Sequence, residues 1–151
     1  MWRRMHPLSG IVALLTIASF WVSTVISELS GSEQAIIAVK QVIPWGLLLL
    51  VPALALTGAS GFTLGRGDTS ALIASKRRRM PIIAANGILV LVPCALTLAL
   101  MTRDGELDAW FYPVQVIELM AGAVNVALMG LNARDGMLLT GRVARLRDPS
   151  S

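Results

Sequence analysis

Four apolar runs, each long enough to cross a bilayer, occupy most of this chain: Leu8–Glu28, Ala35–Ser60, Met80–Met101 and Trp110–Ala133. A spanning helix needs about 20 mostly apolar residues to cover roughly 30 Å of hydrocarbon. Hydrocarbon offers the backbone no partner, so runs of this kind cross as helices. Only 15% of the 151 residues are charged, against about 25% in a soluble domain. The expected fold class is all-α: a polytopic membrane protein built as an antiparallel four-transmembrane-helix bundle. Residues 1–148 form its single membrane domain, and 149–151 a disordered tail. Arg3 and Arg4 before the first run also suit a signal peptide, but no small-residue cleavage site follows.

The placement of charge sets an expected topology. Of 13 Lys and Arg residues, all but Lys40 and Arg103 lie in three segments: before span one, between spans two and three, and after span four. Basic residues concentrate in cytoplasmic loops. Both termini and the middle connection are therefore expected in the cytoplasm, and the acidic connections Leu29–Gln34 and Thr102–Ala109 outside. Lys76, Arg77, Arg78, Arg79, Arg142 and Arg145 read as topology and lipid-surface residues, not as a nucleic-acid patch. A short surface helix is expected over Thr69–Arg79, and Arg134–Arg147 continues span four as a helix along the inner leaflet.

Prolines and aromatics refine this map. Pro81 and Pro113 suit the first turn of a helix, whereas Pro44, Pro52 and Pro93 fall within spans and should bend them. Trp2, Trp110 and Tyr112 fit an interfacial belt, and Trp21 and Trp45 lie deeper, as packing residues.

The polar content of the spans is the main pointer to function. In span four, Gln115, Glu118, Gly122, Asn125, Met129 and Asn132 recur at three- and four-residue intervals, which places them on one helix face. Thr16, Ser19, Ser23 and Ser27 share a face of span one, and Asn86, Pro93 and Thr97 one side of span three. Such faces turn towards other helices and hold them by close approach and interhelical hydrogen bonds. Lys40 and Glu118 are ionisable residues at similar depth below the outer surface, positioned to pair, with Gln41, Gln115 and Glu28 nearby. A charge within a span costs about 2.5–3.5 kcal/mol on insertion scales, which makes the pair a candidate structural clasp or an outward-facing polar cavity.

No sequence motif names a reaction. The chain has no P-loop, no G-x-S-x-G and no Cys/His metal spacing, and Cys94 is its only cysteine. The adhesion-type tripeptide Arg66-Gly67-Asp68 falls in the expected cytoplasmic connection, where it has no such meaning. His6 is the only histidine, so haem b would need a second subunit or methionine ligation, and no cofactor is expected.

The strings His6-Pro7-Leu8-Ser9-Gly10, Lys76-Arg77-Arg78-Arg79-Met80-Pro81 and Asn132-Ala133-Arg134-Asp135-Gly136 resemble those of an uncharacterised family of small four-helix bacterial inner-membrane proteins. The resemblance implies a multi-pass location in that membrane and carries no catalytic residue. Three functions are open. The first is a structural or accessory protein packing against itself, as a homodimer, or against a larger membrane complex. The second is a proton- or cation-coupled carrier using Glu118, and the third a haem- or quinone-linked redox protein.

Overall fold

The computed structural model describes residues 2–64, 71–105, 107–139 and 141. They form α1 (Trp2–Ser30), α2 (Glu33–Leu64), α3 (Ala71–Asn86), a π-wound turn (Gly87–Leu91), α4 (Val92–Met101) and α5 (Phe111–Leu139). Since α3, the π turn and α4 run on without a break, the architecture is four long helices, with no strand among the described residues. All four are long and apolar enough to cross a membrane. The chain is a multi-pass membrane protein.

Each helix outruns the apolar run that announced it. The expected connection Leu29–Gln34 shrinks to Gly31 and Ser32. Gly31 takes a positive φ of 64° and donates its N–H to the Glu28 carbonyl, closing α1. The Ser32 hydroxyl accepts the Ala35 N–H at 3.3 Å, opening α2. At the start of α5, Asp108 accepts the N–H groups of Trp110 and Phe111 at 3.0 and 2.9 Å, and Pro113 follows in the first turn.

The third span departs most from expectation. The sequence placed a separate surface helix over Thr69–Arg79 and started the span at Met80. Instead α3 runs continuously from Ala71, and Pro81 lies well inside it, not in a first turn. Further along, the Val92 N–H reaches back five residues to the Gly87 carbonyl. That widened turn stands just before Pro93, which has no N–H to continue an ordinary α ladder. It carries one extra residue and so rotates the rest of the helix by about 100°. The rotation separates the expected Asn86–Pro93–Thr97 side: Asn86 turns inward, while Pro93 and Thr97 are exposed.

The helices pack as a ring, α1 on α2, α2 on α4, α4 on α5 and α5 on α1, with α3 extending the α5 contact. An apolar centre joins Ala13, Ile17, Leu50, Ala53, Ile83 and Met129. A smaller one joins Ile36, Leu98 and Phe111 beneath the two short turns. The outer surface carries large apolar side chains such as Leu15, Leu48, Leu89 and Ile117, as hydrocarbon contact requires. Glycine sets the closest approaches. A Cβ on Gly46 would enter the Phe20 ring, and one on Gly122 would lie 2.9 Å from Trp21 Cδ1. Trp21 is thus a packing residue, but Trp45, expected to pack as well, is 72% exposed.

Candidate functional site: a polar ladder through the bundle

The polar face of α5 turns into the bundle along its whole length. Gln115, Glu118, Gly122, Asn125, Met129 and Asn132 are all buried, and one turn further Asp135 continues the series at 1% exposure. Helical spacing is the cause, since steps of three and four residues stay within one helix face. The ladder meets the other helices at three levels.

At the level nearest the two short turns, Lys40 of α2 forms an ion pair with Glu118 of α5. Its ammonium also donates to the Thr24 hydroxyl of α1 at 3.4 Å, so three helices meet at one nitrogen. Lys40 is 1% exposed and does not snorkel towards water. Glu28 of α1 lies near enough to Lys40 to interact with it electrostatically. Glu28 Oε1 and both amide atoms of Gln115 are buried with no hydrogen-bond partner. Gln41 does not join this group. It donates from Nε2 to the Ala99 carbonyl at 2.7 Å and to the Thr102 hydroxyl at 2.8 Å, tying α2 to the end of α4.

At mid-height, Asn86 of α3 donates from Nδ2 to Asn125 Oδ1 at 2.9 Å and to the Ala121 carbonyl at 2.8 Å. Asn125 in turn donates to the Ile83 carbonyl at 3.3 Å. Both amides are therefore used up in joining the third span to the fourth.

At the third level, two residues of the basic run face α5. Arg79 donates to Asp135 Oδ2 at 2.6 Å, and Arg134 approaches Oδ1 at 3.3 Å. Lys76 is half-buried, reaching across Gly136, whose Cβ would lie 3.5 Å from its Nζ. Lys76 and Arg79 thus turn into the bundle, while Arg77 and Arg78 between them are exposed. One face of α3 packs on α5, and residues three apart share it. Arg142, Arg145, Glu106 and the Arg66–Asp68 tripeptide lie outside the described residues.

Span one also differs from its expected stripe. Thr24 and Ser27 are buried, whereas Ser19 and Ser23 are exposed. The inward face runs Ala13, Ile17, Thr24, Ser27, and Thr24 lies off the Thr16–Ser19–Ser23–Ser27 spacing that marked the expected stripe. His6 stitches α1 to α2, its Nδ1 lying 3.1 Å from the Thr57 carbonyl oxygen and 3.0 Å from the Ser60 hydroxyl.

An interior cavity of about 50 Å³ opens beside the ion pair, walled by Ile17, Phe20, Trp21 and Leu50, with Thr24 and Glu118 at its polar edge. Pockets for small organic ligands run to about 300–1,000 Å³, so this one is too small for such a ligand, and its walls are almost wholly apolar. Among the described residues no group of three or more His, Cys, Asp or Glu is placed to hold a metal. Family models, curated proteins and solved structures yielded no match to the chain.

Proposed function

We propose that this chain is a small accessory protein of the bacterial inner membrane, with both termini in the cytoplasm, that packs as a rigid unit against a second copy of itself or a larger membrane complex. The observation that carries the reading is the use made of the ladder. At three levels, α5 commits its polar groups to neighbouring helices, with Lys40, Asn86 and Arg79 as partners. Interhelical hydrogen bonds of this kind hold membrane bundles together. Ser19 and Ser23 support an outer contact. They sit one turn apart on the exposed side of α1, where hydrocarbon alone would leave hydroxyls poorly served.

The test is cross-linking in native membranes. In a Cys94→Ser background, Ser23→Cys should yield a disulfide-linked or heterobifunctional adduct that Leu48→Cys, exposed on α2, does not. Equal yields at both positions would sink the reading. Reporter fusions after Arg79 should report cytoplasm and fusions near Glu33 the outside; the reverse pattern would invert the map.

A second reading, handling of a proton or small cation, is favoured by the level that is not fully satisfied. Glu28 and Gln115 leave three buried polar atoms unpartnered next to the Lys40–Glu118 pair. Proton flux in proteoliposomes, present with the native chain and absent with Glu118→Gln, would raise this reading above the first.

A further inference from the structure

The cluster at the short-turn end has an imbalance of both charge and hydrogen bonding. Glu28 and Glu118 bring two carboxylates, and Lys40 brings one ammonium. Lys40 is committed to Glu118 and Thr24. Lys40 and Glu118 are buried, whereas Glu28 is half-buried with its Oε1 inside, and a single added positive charge would make the cluster neutral. The unpartnered atoms say where it belongs. Trp21 donates to the Leu119 carbonyl at 3.0 Å and packs on Gly122. These contacts fix the antiparallel register of α1 on α5, and the same register carries Glu28 to the level of Gln115. There Glu28 Oε1 and both amide atoms of Gln115, a side chain 2% exposed, lack partners; the amide N–H can serve Glu28 Oε1, but Gln115 Oε1 still lacks a donor. A carboxylic acid in place of the carboxylate supplies the missing O–H.

We propose that this end of the bundle is a proton-binding site, in which Glu28 holds the proton and donates its hydrogen bond to Gln115. The proton arrives on hydronium from the aqueous phase at the short-turn end. A new O–H bond forms on Glu28, water is released, and no other bond changes. Charged and titratable groups face the site from every helix around it: Lys40 from α2, Cys94 from α4 and Glu118 from α5. Glu33, Arg103 and Asp104 are exposed at the rim. The Lys40–Glu118 ion pair sets the field around Glu28. A bare metal cation fits less well, because Lys40 already occupies the cationic position between the acids. The proposal deepens the second functional reading by naming its ligand, and binding is measured separately from flux.

The test is infrared difference spectroscopy of the full chain in lipid nanodiscs, between acidic and neutral buffer. The expected result is a protonated-carboxyl band that appears and disappears with pH. Glu28→Gln should remove that band. Gln115→Leu should retain it but shift its frequency, since the acid loses its acceptor; this variant keeps the question open to refutation if Glu28→Gln folds poorly. Survival of the band in Glu28→Gln would overturn the assignment. So would a native spectrum with no such band, or one that responds to sodium at constant pH. A titrating Glu28 band with no proton flux in proteoliposomes would uphold the site and end the carrier reading alone.

Discussion

Arg79 and Asp135 form a 2.6 Å ion pair between α3 and α5, and the carboxylate is almost wholly buried while the guanidinium is partly open. Asp135 serves three cations at once, since Arg134 and Lys76 also face it. Asp135→Asn should therefore do more damage than Arg79→Gln, because it strands several positive charges where the arginine change strands one carboxylate that Arg134 still reaches. Removing one partner of a buried pair costs about 3–5 kcal/mol. Thermal unfolding in detergent should rank Asp135→Asn well below Arg79→Gln; the opposite order would show that Arg79 alone anchors this level.

At the other end, Lys40→Met and Glu118→Gln should each lower stability by about 3–5 kcal/mol, since each leaves a buried charge unpaired. The double substitution should cost clearly less than the sum, as expected for residues in direct contact. Strictly additive losses in a detergent melting series would mean that the two do not interact.

The amide level gives a smaller and more local effect. Asn125→Leu removes bonds to Asn86 and Ile83, and interhelical hydrogen bonds of this type contribute about 0.6–2 kcal/mol. Val124→Leu changes an exposed neighbour and should be close to silent. A spin label at position 125 should be shielded from lipid-soluble relaxants, and one at 124 accessible; equal accessibility would contradict the buried face.

Glycine substitutions test the close approaches. Gly46→Ala places a methyl group in the ring of Phe20, and Gly122→Ala crowds Trp21. Overpacking costs about 1–3 kcal/mol. Gly46→Ala combined with Phe20→Leu should recover much of the loss in a melting experiment. Gly58→Ala, with nothing near the added methyl, should be neutral.

Spans and the ladder of α5 are legible in the sequence for one reason: hydrophobic length and helical period are both one-dimensional signals. Lys40 and Glu118 could be set at a common depth by counting residues from the acidic connections. Asp135 could not be recognised as buried, because it follows Arg134 beyond the last apolar stretch and resembles ordinary loop charge. Its burial depends on α3 starting at Ala71, a matter of helix–helix packing that no local pattern records. The π turn was equally hidden. Pro93 signals a lost hydrogen bond, but not whether the helix bends or gains a residue, and that choice decided which way Thr97 faces. Trp45 shows the reverse limit, since depth along a span does not tell a lipid-facing residue from a packed one.

The ladder also has a temporal side. Protein chains emerge N-terminus first, and in this one every polar level is completed from α5, the last span in chain order. Until that span inserts, Asn86 and Arg79 stand without their α5 partners, and Lys40 has Thr24 but not Glu118. Insertion of α5 therefore supplies the counter-charges and hydrogen-bond partners of three earlier positions together. An intermediate with only the first three spans is a polar, unfinished surface, the state in which membrane quality control would meet the chain.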